Sequence, residues 1–121
     1  MIKEYMEKIK EFNDARGYSN TEQIKDLLLN ITDEVAEFWQ KIKWVGVDKQ
    51  EKIIKEHHDK FENDIADLLY IVLKLSYLCN VDPDIALSKV MTEYEMRFPL
   101  TKEFNNGNKY AGGFDNKVCN E

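Results

Sequence analysis

Apolar side chains recur at spacings of three and four from residue 2 to residue 98, and no stretch alternates strictly between apolar and polar positions. Such spacing is typical of amphipathic α-helices, which turn one apolar stripe toward a core. The sequence therefore predicts an all-α protein, a bundle of four helices. The predicted helices cover about residues 2–15, 20–44, 49–80 and 83–97. Residues 57–59 are polar, so a break in the long third helix would be expected there.

Residues that favour helix starts support three of these boundaries. Asn20 with Gln23, and Asp48 with Glu51, resemble capping boxes, in which two side chains satisfy free backbone N–H groups. Pro83 follows an aspartate and predicts the start of the fourth helix, because proline at the first helical position loses no hydrogen bond. The last three predicted helices thus begin at residues suited to start a helix.

The composition predicts one globular domain over residues 1–121, with a helical body to about residue 98 and an irregular tail at residues 99–121. Hydrophobic residues make up 43% of the chain, which is enough to form a core. No apolar run is long enough to predict a membrane span or a signal peptide. Cys79 and Cys119 form no metal-binding motif, which favours a cytoplasmic location without structural zinc.

Charge and hydrophobicity limit the expected partners. The chain has 17 Lys and Arg against 23 Asp and Glu, a net charge of −6. This charge repels the phosphate backbone of DNA or RNA, so nucleic acid polymers are not expected to bind. The apolar stripes of the second and third predicted helices are wider than one thin four-helix unit can cover. We therefore expect a homo-oligomer, either a dimer or a tetramer.

Two acidic pairs lie at matching positions on the second and third predicted helices. Glu34 and Glu37 border the apolar stripe of the second helix, and Asp64 and Asp67 border that of the third. Both pairs have i, i+3 spacing, which places the two side chains on one helix face. The ordinary alternative is that Glu37 pairs with Lys41 one turn later, and that Glu34 is solvated surface.

Four carboxylates that meet at a half-buried seam repel one another strongly unless a positive charge lies between them. A hard divalent cation is suited to this place. Mg²⁺ in particular takes oxygen ligands and usually keeps water and substrate phosphates in its shell. The matched pairs therefore predict a metal centre between the two helices.

The acidic pairs and their surroundings resemble a known protein family. Residues 33–37 and 64–70 are similar to the ExxE…ExxD signature of the MazG-like all-α nucleoside triphosphate pyrophosphohydrolases. The rest of the chain is more similar to the dCTP pyrophosphatase branch of that family. Counterparts occur in the same order at residues 16–29, 80–82, 97–99 and 109–110. The resemblance covers roughly residues 16–110.

Two positions depart from the family pattern. Asp64 stands where the family usually has Glu, which shortens the reach to a metal by one methylene without changing the charge. The family commonly has an Asn four residues after a Lys in its last helix. Here Glu93 lies four residues after Lys89, and counting back from Pro99 gives Tyr94 instead. The resemblance therefore does not predict that contact.

The resemblance implies a fold and a reaction. The fold is a MazG fold, similar to a four-helix bundle, that oligomerises through its long helices. The reaction is hydrolysis of a (deoxy)nucleoside triphosphate to the monophosphate and pyrophosphate, in the sanitation of nucleotide pools. Its implied metal is Mg²⁺, with Mn²⁺ as an alternative. The implied metal ligands are Glu34, Glu37, Asp64 and Asp67.

The resemblance also implies roles in catalysis and substrate binding. Glu34 or Glu37 is the expected base that orients the attacking water, and the sequence leaves this choice open. Positive and aromatic side chains should complete the site. The candidates for phosphate and base contacts are Lys89, Arg97, Lys109, Tyr110 and Trp39. The alternative for each of these cations is that it is a solvated surface residue. The alternative for an aromatic on a helical stripe is that it packs in the core.

Two other functions remain open at this point. Residues 66–70 are also close to the second motif of phosphoribosyl-ATP pyrophosphatase, although the extended tail after Pro99 disfavours that enzyme. A non-catalytic helical dimerisation or adaptor module, with acidic rows that serve solubility, is the alternative outside enzymes. Release of pyrophosphate from nucleotides distinguishes an enzyme from such a module.

Overall fold

The computed structural model describes residues 1–19 and 23–100, and these ranges contain five α-helices and no β-strand. The helices are α1 (Ile2–Ala15), α2 (Ile24–Ile42), α3 (Val47–Glu56), α4 (His58–Leu78) and α5 (Pro83–Arg97). The predicted all-α class is thus confirmed. None of these helices has the length and apolarity needed to cross a bilayer. Contacts divide the chain into one compact unit, Met1–Pro83, and a second that begins at Asp84.

Helix α4 is the centre of the first unit, because α1, α2 and α3 all pack against it. It supplies the buried side chains of Phe61, Ile71 and Leu73, while Met6 of α1 and Leu27 of α2 are buried against the same core. A helix with neighbours on several sides needs apolar residues around much of its circumference. Polar side chains at the α2–α4 contact are therefore held by packed helices rather than by a loop.

A left-handed residue follows the end of α1 and the end of α4. Gly17 has φ +69°, and Tyr18 N–H donates to Asn13 O at 2.8 Å while Gly17 N–H donates to Asp14 O at 3.2 Å. These are the two bonds of a Schellman motif, which needs a left-handed residue that glycine adopts without strain. The predicted end of the first helix is therefore confirmed. Asn80, with φ +56°, ends α4 in the same way.

The long third helix of the prediction is two helices. His57 has φ −116° and ψ 33°, outside helical geometry, and it separates α3 from α4. Its N–H still donates to Ile53 O, and its carbonyl oxygen accepts from the N–H groups of Lys60 and Phe61. The break falls in the polar stretch where it was expected, because no apolar side chain there holds the two helices in one line.

The helices predicted to follow the two capping boxes are present, but the capping box at Asp48 is not. The prediction of Asp48 as a cap is wrong: Gly46 precedes the first turn of α3, Asp48 lies within that turn, and no side chain caps the helix. A carboxylate in the first turn still stabilises the helix through the macrodipole. The box at Asn20 lies outside the described residues, and α2 is observed from Ile24 to Ile42, two residues short of its predicted end.

A fully buried polar side chain joins α1 to α4. Asn13 has no exposed surface. Its amide nitrogen donates to Ile9 O at 2.8 Å, and its amide oxygen accepts a hydrogen bond of 3.0 Å from the hydroxyl of Tyr70. Both sides of the buried amide are thus satisfied, as a polar group in a core must be.

Candidate metal centre

Helices α2 and α4 bring three acidic side chains together. One carboxylate oxygen each of Glu34, Asp64 and Asp67 lies within 4.8 Å of the other two. Glu34 comes from α2, while Asp64 and Asp67 lie one turn apart on α4. We refer to these three residues as the carboxylate centre. It unites three of the four carboxylates in the two matched acidic pairs.

An aromatic contact explains why the two helices place these acids side by side. The rings of Phe38 and Phe61 pack with their centroids 5.2 Å apart. Phe38 lies one turn after Glu34 on α2, and Phe61 lies one turn before Asp64 on α4. The helices therefore run in opposite directions here, and packing of the two rings sets the carboxylates opposite each other. A pair of this kind contributes about 0.5–1.5 kcal/mol beyond its buried area.

Burial is uneven across the carboxylate centre. Asp64 is only 9% exposed, Glu34 is half-buried, and Asp67 is exposed. A carboxylate held at the edge of a core loses part of its hydration, so its charge must be compensated by nearby groups. The open side at Asp67 is where a ligand from solvent would reach the centre.

The proximity of the acids changes the protonation of Glu34. Partial burial raises the pKa of this carboxyl above its ordinary value of 4.5, and the negative charges of Glu37, Asp67 and Asp64 raise that pKa further. The Lys41 ammonium acts in the opposite direction but more weakly. Three neighbouring negative charges oppose one positive charge at Glu34, so the centre, as the chain supplies it, has a deficit of positive charge.

Glu37 is the one carboxylate of the matched pairs that lies outside the group of three. It is exposed on α2, one turn after Glu34. Its charge nevertheless acts on Glu34, so it lies at the border of the carboxylate centre. Glu37 therefore neighbours the carboxylate centre, and its side chain is exposed to solvent.

Two polar neighbours of the centre were not predicted. Lys41 donates a hydrogen bond from Nζ to Oδ2 of Asp64, and Asn63 donates from Nδ2 to Oδ2 of Asp67 at 3.1 Å. The alternative that Lys41 pairs with Glu37 is therefore wrong among the described residues. The reach of a lysine across to another helix cannot be read from spacing along one helix. The i, i+4 spacing of Asn63 and Asp67 was a signal that could have been used.

The residues predicted to contact substrate are spread over several regions. Trp39 is on α2 and is 58% exposed, so the alternative that it is buried in the core of the chain is wrong. Lys89 and Arg97 lie on α5 in the second unit, where Arg97 pairs with Glu93 at 3.3 Å. Lys109 and Tyr110 lie outside the described residues. The substrate contacts of all five stay predictions.

A pocket of about 220 Å³ lies beside the carboxylate centre. We call it the basic pocket. It is lined by Lys41, Ile53, His57, Lys60 and Phe61. Lys41 belongs both to this lining and to the contact with Asp64, and Phe61 also packs on Phe38. The basic pocket and the carboxylate centre therefore share the same stretch of the α2–α4 contact.

A second group of potential metal ligands lies at the start of α4. We call His58, Asp59 and Glu62 the surface cluster; their ligand atoms also lie within 4.8 Å of one another, and all three residues are exposed. His58 is 3.6 Å from Glu62 one turn later. Exposed pairs at this spacing contribute little and are common on helix surfaces. The surface cluster therefore does not carry the argument for a metal.

The fold of this chain is similar to that of a solved enzyme. A pyrophosphatase from Archaeoglobus fulgidus is 28% identical in sequence, with a TM-score of 0.71, over 80% of this chain and 91% of that chain. The chain matches no protein-family model and no curated protein. The similarity of sequence and fold supports a pyrophosphatase-type hydrolase, and the acidic groups are compatible with a divalent metal.

Proposed function

We propose that this chain is a Mg²⁺-dependent nucleoside triphosphate pyrophosphohydrolase that sanitises nucleotide pools. The observation that carries the proposal is the carboxylate centre, where Glu34, Asp64 and Asp67 converge from two packed helices. The similarity to a pyrophosphatase supports the same class of reaction. The resemblance of the acidic pairs to the MazG-like family supports a nucleotide as the substrate.

The donor set fits a hard divalent cation. Its three side chains offer only carboxylate oxygens, the ligands that Mg²⁺ and Mn²⁺ take. Partial burial and then the neighbouring negative charges raise the pKa of Glu34, so a cation at this place would be favoured. Glu34, Asp64 and Asp67 would hold the metal, and Glu37 is the next ligand available. A bound metal would supply positive charge for the phosphates and lower the pKa of a water molecule.

The chain's own carboxylates supply the remaining chemistry. Water adds to the α-phosphorus, the bond from that phosphorus to the bridging oxygen breaks, and this oxygen leaves with its electron pair as part of pyrophosphate. Glu37 lies outside the group of three but beside Glu34, so we assign it as the base that takes the proton of the water. Glu34 is the alternative base.

The remaining substrate contacts are part of the same proposal. Trp39 is exposed on α2 and offers an aromatic face to a nucleobase. Lys89, Arg97, Lys109 and Tyr110 would contact the phosphates or cover the bound nucleotide. Asn63, one turn before Asp67 on α4, donates a hydrogen bond that orients the Asp67 carboxylate.

We also propose that the active protein is a homo-oligomer, a dimer or a tetramer, in the cytoplasm. Support comes from apolar side chains that are about half exposed on the two helices of the carboxylate centre. On α2 and α4 they are Leu28, Leu29, Val35, Ile65, Leu69 and Val72. Apolar surface of this extent on packed helices is suited to burial against a second copy. Light scattering at micromolar concentration tests this; a monomer mass contradicts it.

Pyrophosphate release from a panel of nucleotides tests the reaction. The panel contains the natural ribo- and deoxyribonucleoside triphosphates, several modified ones and phosphoribosyl-ATP, each with Mg²⁺. We expect release from one or more triphosphates and its loss when EDTA is added. Preference for phosphoribosyl-ATP would indicate the histidine-synthesis enzyme instead. No release from any compound would contradict the proposal and favour a dimerisation module.

A further inference from the structure

The basic pocket differs in charge from the carboxylate centre that it adjoins. Its polar lining residues are Lys41, Lys60 and His57, its apolar ones are Ile53 and Phe61, and among the described residues no Asp or Glu lines it. A pocket with this lining attracts anions, whereas the carboxylate centre repels them. The two sites are therefore complementary parts of one surface rather than two copies of one site.

Along α4, the basic residue Lys60 comes before the acidic residues Asp64 and Asp67. Residues 60, 64 and 67 recur at spacings of four and three, so they follow one face of α4. Lys60 lies one turn before Asp64, about 6 Å along the helix axis. The phosphate chain of a nucleotide is long enough to cover this distance. One ligand can therefore have one phosphate at the carboxylate centre and another in the basic pocket.

Lys41 connects the two sites from the opposite helix. Its ammonium group contacts Asp64 of the carboxylate centre, while its side chain also lines the basic pocket. A lysine has three donors, so the contact with one carboxylate oxygen leaves donors for a phosphate oxygen. The side chain of Lys41 thus lies at the point where a phosphate chain would pass from one site to the other.

We propose that the basic pocket binds the β and γ phosphates, which leave as pyrophosphate, with Lys60 and Lys41 donating to their oxygens. This rests on the proposed function, because it assigns the outgoing end of the substrate to one side of the carboxylate centre. Lys60 is a phosphate-binding residue in this scheme. The apolar surface of Ile53 and Phe61 excludes water and strengthens the lysine–phosphate attraction.

Binding of inorganic pyrophosphate with Mg²⁺, measured by isothermal titration calorimetry on the full chain, tests the proposal. Lys60→Gln should weaken binding about tenfold or more, the effect of losing one charge-assisted hydrogen bond. Lys60→Arg should retain most of the affinity, since it keeps the charge. Lys52→Gln is the matched control, because Lys52 is 76% exposed on α3, pairs with Glu56, and does not line the pocket. Lys41 is not used, because its loss would also disturb Asp64.

The outcomes separate this proposal from the proposed function. Equal pyrophosphate affinity of Lys60→Gln and Lys52→Gln would overturn the pocket assignment even if nucleotides are hydrolysed. So would a change in base preference at Lys60→Gln without a change in pyrophosphate affinity, which would place the nucleobase in the pocket. Failure of the wild-type protein to bind pyrophosphate overturns it as well. Lys60-dependent binding without nucleotide hydrolysis would support the pocket and contradict the proposed function.

Discussion

The carboxylate centre and the surface cluster contain similar ligand atoms at similar distances, but they differ in origin and burial. The carboxylate centre joins α2 and α4, includes the nearly buried Asp64, and raises the pKa of Glu34. The surface cluster comes from the start of α4 alone, and every member is exposed. Proximity of acids is therefore weak evidence for a metal site. Convergence from two packed helices, with a raised pKa at Glu34, is the stronger evidence.

Removal of one proposed metal ligand or base should have the largest effect on activity and should distinguish the carboxylate centre from the surface cluster most clearly. We expect Asp67→Asn or Glu37→Gln to lower pyrophosphate release by about a hundredfold or more, because each loses a charge that binds the metal or activates water. Glu62→Gln, in the surface cluster on the same helix, should leave kcat/KM unchanged. Near wild-type turnover in Asp67→Asn would show that the carboxylate centre is not the active site. Circular dichroism checks that each variant folds.

Metal binding should stabilise the protein through the carboxylate centre only. At Mn²⁺ or Mg²⁺ a hundredfold above Kd, the folded state gains about 2.7 kcal/mol, which appears as an increase in Tm. Asp67→Asn should lose most of this increase, and Glu62→Gln should keep it. Equal losses in the two variants would mean that metal binding is spread over the acidic surface, and a loss in Glu62→Gln alone would place it on the surface cluster.

The contact between α1 and α4 offers a test of structure without chemistry. Tyr70→Phe removes the hydroxyl that donates to the buried Asn13, so an amide oxygen loses its partner. We expect a loss of about 1–3 kcal/mol in the free energy of unfolding, the cost of an unsatisfied buried polar group. Urea denaturation measures it. Metal affinity should remain as in the wild type; a parallel loss of metal affinity would mean that the centre depends on overall stability.

The smallest expected effect concerns protonation of Glu34. Its pKa is raised above 4.5 in the folded protein, so the folded state binds a proton more tightly than the unfolded state does. Without metal, stability should therefore fall as the pH rises from 4.5 through the raised pKa, and Glu34→Gln should remove this part of the dependence. Tm measured against pH in EDTA tests it. A Glu34→Gln curve parallel to that of the wild type would contradict the electrostatic account.

Features set by local sequence were the ones that could be predicted. The bounds of α1 and α5 follow from periodicity with Gly17 and Pro83, and the acidic pairs follow from their offset from two apolar stripes. Contacts between distant residues were missed. Lys41 reaches Asp64 across 23 positions, and the basic pocket joins α2, α3 and α4, because long flexible side chains and helix packing are not encoded in spacing along one helix.

The wrong prediction of Asp48 as a cap shows a second limit of prediction from sequence. Sequence alone suggested a capping box of Asp48 with Glu51, but the helix begins two residues earlier, at Val47 after Gly46. The competing starts differ by little free energy, since a cap contributes about 1 kcal/mol and an acid within the first turn contributes some of this through the macrodipole. Helix ends are therefore decided by small differences that packing can reverse.

The buried Asn13 has a consequence for the alignment of the whole unit. Apolar side chains tolerate sliding of one helix past another by a turn, because one methyl group replaces another. A shift of α1 along α4 by one turn, about 5.4 Å, would separate Asn13 from Tyr70 and leave two dehydrated polar groups without partners. The hydrogen bond between Asn13 and Tyr70 therefore favours one position of α1 along the axis of α4. Because α4 also carries Asp64 and Asp67, the same hydrogen bond fixes the position of these two acids along α1.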